Sequence, residues 1–217
     1  MIGLGESLIG LIRLGDIVLY LTPTTLTLFL TAVGFTVVMA LSRPETQVEL
    51  VFGMDGYKKS EMPMGEIKFR RYMAIVCGVA TAGAMITGDI FDFALFVTLA
   101  GIADVGIVAA SKKPQVLDAA YQYGMTLMIA GLPLFGAAAL VLGTAGTLSL
   151  HELDTIRVSG VVAVLFILGV LGEIGVAPFY AAKARLFRAL GAPYIIMIHV
   201  STLLIIVRTV EIIVTLL

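Results

Sequence analysis

The stretch SGVVAVLFILGVLGEIGVAPFYA, residues 159–181, decides the fold. It is apolar for the length that crosses about 30 Å of hydrocarbon as a helix. Its single ionisable carboxyl, Glu173, stands among Gly169, Gly172 and Gly175, with Pro178 one turn later. Glycine weakens a helix and proline removes a backbone donor, so the span reads as a transmembrane helix broken near Glu173 to Pro178. Backbone freed at membrane depth must be buried in protein or line a wet cavity. An acid beside such a break is a candidate proton acceptor. The alternative is a neutral carboxylic acid hydrogen-bonded to a neighbouring helix.

Apolar runs of similar length recur on either side, at about 17–42, 71–88, 91–110, 119–143 and 193–217. The chain therefore reads as an all-α, polytopic bundle of about six transmembrane helices spanning 17–217. The second run is short but carries Ala74, Gly78 and Ala82 at i, i+4, i+8, a stripe that lets another helix come close. Composition agrees: 59% of the 217 residues are hydrophobic, mean hydropathy is +1.06 and 13% are charged, against about 25% charged in soluble domains. Residues 1–16, with Glu6, Arg13 and Asp16 among leucines and isoleucines, lack the basic start and cleavage site of a signal peptide. They are expected to form an interfacial amphipathic helix, with a seventh crossing broken near Pro23 as the rival.

Orientation follows from the basic residues. Arg43, Lys58, Lys59, Lys68, Arg70 and Arg71 fall in or beside the connection at about 43–70, Lys112 and Lys113 after the third span, and Lys183, Arg185 and Arg188 after the fifth. These are eleven of the 14 Lys and Arg residues. The positive-inside rule puts those three connections in the cytoplasm and both termini outside. A net charge of −1 without long runs of one sign leaves no electrostatic footprint for nucleic acid. The single cysteine, Cys77, excludes a disulfide within the chain.

Motifs of soluble enzymes fail. His151 precedes Glu152, but no second histidine follows at the helical spacing of a zinc protease. Attention falls on ionisable groups at membrane depth. Asp104 lies near the cytoplasmic end of the third span, one turn after Gly101, and reads as a relay group or a packing residue. His199 and Arg208 share the last span. His199 could help a proton path or be a satisfied bundle histidine. Arg208 is a further ion-path candidate, although an i,i+3 pair with Glu211 favours a structural role. Asp89 and Asp92 read as an acidic helix start on the outer side.

Four stretches, taken in order, resemble the antiporter-like subunits shared by respiratory complex I, Mrp-type sodium/proton antiporters and energy-converting [NiFe] hydrogenases. TGDIFDFALFVTLAGIADVGIVAA (87–110) is similar to the family's GDLFN-type opening of its glutamate-bearing helix. YQYGMTLMIAGLPLFGAAALVLGTAGTLSL (121–150) resembles the following helix, which ends in a comparable TGTL. LGVLGEIGVAPFY (168–180) resembles the broken helix that bears the family's central lysine before a Pro-Phe pair, and IHVSTLL (198–204) its next helix, with an IHxxT pattern. The match covers about 71–215.

The resemblance implies one five-helix repeat of an ion-translocation module whose usual members carry two inverted repeats on about twice this length. The second half would come from another membrane subunit. Counting from Asp89, the family's essential glutamate falls on Thr98; counting back from Pro178, its central lysine falls on Glu173. The charged pair is thus absent in its usual form, with an acid where the amine stands. The many small membrane subunits of methanogen Eha-type hydrogenases are the closest design. That design implies hydrogenase and iron-sulfur partners on the cytoplasmic side, coupling to H+ or Na+ flow, and no cofactor within this chain. The changed pair equally fits a structural subunit without transport, and a free-standing homodimeric antiporter is a third reading.

Overall fold

The computed structural model describes residues 8–14, 17–42, 46–50, 57–61, 63–111, 113–156, 158–176, 179–189 and 194–216. Two short hairpins precede and interrupt an all-α membrane bundle. Strands β1 (Gly10–Leu14) and β2 (Ile17–Leu21) are followed by α1 (Pro23–Leu41), β3 (Thr46–Leu50), β4 (Tyr57–Glu61), α2 (Met64–Ile86), α3 (Ile90–Ala109) and α4 (Pro114–Ala145). Then come α5 (Leu150–Leu153), α6 (Gly160–Ile174), α7 (Tyr180–Ala189) and α8 (Ile195–Leu216). Among the described residues, α1, α2, α3, α4 and α8 are long and apolar enough to cross a membrane, and α6 is a shorter apolar helix. The chain is a multi-pass membrane protein.

Local signals set the helix ends. Thr22 and Thr25 form a reciprocal capping box ahead of Pro23, which presets the first turn of α1. Asp89 caps α3 by accepting from the N–H of Phe91 at 2.7 Å and of Asp92 at 3.1 Å. Gly146 ends α4 in the left-handed region, φ 72°, where a residue with a Cβ is strained.

Small residues decide the packing. Gly78 on α2 leaves no room for a Cβ beside Thr36 of α1, so the expected small-residue stripe does bring a helix close. On α6, a Cβ at Gly169 would lie 2.7 Å from both the N and Cα of Leu134 in α4. The α6 backbone therefore rests directly on the α4 backbone. Helix α8 meets α1, α2, α3 and α6 and buries Ile198, Ser201, Ile205, Arg208 and Ile212 along one face. Helix α1 stands at the edge, with Leu30, Val38 and Leu41 exposed.

Two expectations are corrected. Gly10–Leu14 is a strand paired with Ile17–Leu21 in the register Leu14↔Ile17, not an amphipathic helix or the start of a crossing; residues 1–7 lie outside the described residues. The physical reason lies in the sequence, where a Gly-Asp pair falls between β-branched and aliphatic runs, a hairpin signal stronger than their helical amphipathicity. This hairpin covers one end of the bundle: the Gly88 N–H donates to the Val18 carbonyl at 2.6 Å. The connection at 43–70 is also shorter than expected, since α2 begins at Met64 and Arg70 is buried within it, 2.7 Å from Glu66. Part of that connection, Thr46–Leu50 with Tyr57–Glu61, is a second hairpin.

Candidate functional site

Glu173 sits in the last turn of α6 and is 3% exposed. Its Oε1 accepts from the hydroxyl of Thr98 on α3 at 3.0 Å. Oε2 is buried and has no hydrogen-bond partner among the described residues. Glycines make the space: a Cβ at Gly101 would stand 2.9 Å from Oε2. The helix break is observed at Gly175, whose φ of 65° ends α6, and α7 starts five residues later at Tyr180. Gly172 lets α6 press on Ala130 of α4, while Pro178 lies outside the described residues. Ending a helix strands its last carbonyls, and the Tyr123 hydroxyl donates to the Glu173 carbonyl at 2.6 Å. Thr98 also borders an apolar groove of about 400 Å³ between α3 and α4, with Ile102, Val105, Leu127 and Phe135 in its walls.

A second polar cluster lies against the break. Asp104, 3% exposed, accepts from the Cys77 thiol of α2 at 3.3 Å through Oδ1, and its Oδ2 is 4.0 Å from the Lys183 ammonium. Lys183 is 2% exposed, donates to Thr202 of α8 at 2.8 Å, and lies 5.4 Å and 5.8 Å from the ring centres of Tyr123 and Phe187. Its stem fills the space that a side chain at Gly175 would take. Thr81 and Ser201 bond to one another at 2.7 Å close to Cys77. Reading Lys183 as a connecting-loop charge is therefore a further correction. The signal was its spacing: Phe179, Lys183 and Leu186 fall on one face of a helix.

Arg208 and Glu211 stand apart, at the hairpin-covered end. They pair at 2.6 Å, 1% and 5% exposed, and Arg208 also donates to the Thr87 carbonyl at 2.8 Å and lies under the Tyr20 ring. Arg208 thus ties α8 to the α2–α3 turn and the hairpin. Arg208→Met, which strands Glu211, should destabilise the protein by about 3–5 kcal/mol; adding Glu211→Leu should recover most of that loss, as read by thermal unfolding in detergent.

His199 is not brought to Glu173. It lies on an exposed part of α8 with its ring 4.3 Å from that of Phe187. Asp89, in the turn before α3, acts as a cap; burial holds its carboxyl above the usual carboxylate range although two backbone N–H groups favour the charged form.

With this geometry in place, comparison with known proteins adds a lineage. Residues 1–216 match the family model described as NADH dehydrogenase I, subunit N related protein. The chain is 53% identical over 209 residues to an uncharacterized protein of Methanocaldococcus jannaschii, the alignment covering 96% of each.

Proposed function

This chain belongs to the NADH dehydrogenase I subunit N-related family, and on that premise we propose that it supplies half of an ion-translocation module in an energy-converting [NiFe] hydrogenase. Membership makes it an antiporter-like membrane subunit of a complex I-like assembly, with other membrane subunits as partners. The finer reading is a role like that of one of the small membrane subunits in an Eha-type complex, coupling hydrogen and ferredoxin chemistry to H+ or Na+ flow.

Glu173 carries this reading. It is a buried acid next to a helix break, linked to Thr98 at 3.0 Å and with one carboxyl oxygen unpartnered among the described residues. An acid kept at that depth is costly unless it serves a path or is fully satisfied, and Oε2 is not satisfied within the described residues. Thr98 connects Glu173 to the α3–α4 groove, where the partner that completes the module would complete the path. In this orientation β3, β4 and α7 face the cytoplasm, on the side of the hydrogenase and iron-sulfur subunits, and the β1–β2 hairpin and both termini face outward.

Extraction of the native protein in mild detergent, size exclusion and mass spectrometry test the assembly. Co-elution with [NiFe] hydrogenase and iron-sulfur subunits is expected. A small particle holding only this chain would instead favour a free-standing antiporter.

A further inference from the structure

We propose that Lys183 is a movable counter-charge shared between Asp104 and Glu173. This rests on the reading of Glu173 as the ion-carrying acid and gives that site its second and third members.

The ammonium is under-coordinated where it lies. It has three donors, yet among the described residues it makes one hydrogen bond, to Thr202 at 2.8 Å. Asp104 Oδ2, at 4.0 Å, is beyond hydrogen-bond range, which ends near 3.2 Å. The Tyr123 and Phe187 rings offer only weaker cation–π contact. Glu173 has the complementary deficit, a buried Oε2 without a donor among the described residues, and both carboxyl groups, when ionised, attract the ammonium.

The surroundings fix the acids and free the amine. Cys77 holds the other oxygen of Asp104 and Thr98 holds the other oxygen of Glu173. Gly175 puts no side chain in the way of the lysine stem. Among the described residues, Tyr123 from α4, Phe187 from α7 and Thr202 from α8 also stand around the ammonium, with His199 on the exposed side.

The cycle balances. Asp104 takes a proton from the cytoplasmic side, forming an O–H bond and ending its attraction for the ammonium. Lys183, keeping its three protons, swings to Glu173, whose O–H bond breaks as its proton leaves toward Thr98 and the groove, because a nearby cation favours the ionised carboxylate. One proton enters and one leaves, and the site resets when Asp104 passes its proton to Glu173 and the ammonium returns to Asp104. The three groups together stay neutral in both states, which limits the cost of charge at this depth.

The test compares Glu173→Gln, Lys183→Met and the double variant Asp104→Asn/Lys183→Met, each in the complete complex, by ion uptake into inverted membrane vesicles and by co-purification. The double variant removes both members of the ion pair. It should assemble and still lose uptake to the background of vesicles lacking this chain. Retained uptake in the double variant beside loss in Glu173→Gln would overturn the counter-charge and leave the reading of Glu173 standing. Retained uptake in Glu173→Gln would remove both. Should the double variant fail to assemble, nitrogen-15 solid-state NMR of the lysine-labelled full chain in bilayers decides, with Lys183→Arg assigning the amine resonance. That resonance should move in Glu173→Gln, and an unmoved resonance would overturn the proposal.

Discussion

Leucine in place of Gly169 should leave α6 unable to seat on α4, and the protein should not be recovered as a folded, monodisperse particle. A Cβ at Gly169 already meets the backbone N and Cα of Leu134 at 2.7 Å. Backbone cannot rotate aside as the end of a flexible side chain can. Overpacking of a well-filled core costs about 1–3 kcal/mol, and here it must separate two helices along their length. The effect reaches Glu173, which lies one turn along the same face, and with it the hydrogen bonds from Thr98 and Tyr123. Gly143→Ala, in the same bundle, is the control. Nothing lies within 4 Å of a Cβ there, so the change should be neutral or stabilise α4 by about 0.5–1 kcal/mol. Yield and thermal unfolding in detergent separate the two cases.

The spans were legible because a membrane demands a long apolar run from every crossing helix: α3, α4 and α8 lie within a few residues of the runs read at 91–110, 119–143 and 193–217, while α6 starts with the run read at 159–181 and stops at Ile174, just before the break. Their ends were less legible. Helix α2 extends back to Met64 because Arg70 is neutralised by Glu66 and buried along its stem, a pairing that looks in sequence like loop charge. The β1–β2 hairpin was lost for a related reason: leucine and isoleucine serve both periods, and only the Gly15-Asp16 pair favoured the hairpin.

The site divides in the same way. The pair Thr98 and Glu173 came from counting along motifs that resemble the family, and the two side chains are hydrogen-bonded. Arg208 with Glu211 followed from i,i+3 spacing alone, and the two are paired. Lys183 was hidden because a lysine shortly after a span normally orients a loop. Only the break at Gly175, after which α7 packs against α4, brings it under the bundle to Asp104. His199 shows the converse, since a motif places it on α8 without saying which face it takes.

The measurement that tests the central claim most directly is ion uptake by inverted membrane vesicles carrying the assembled complex with Glu173→Gln. Glutamine keeps the size of the side chain and an oxygen to accept from Thr98, and it removes the ionisable carboxyl proton. Uptake should fall to background while the variant chain still co-purifies with its partners. Uptake at the wild-type rate in that assembled complex would contradict the account, and would make the chain a structural component of the bundle.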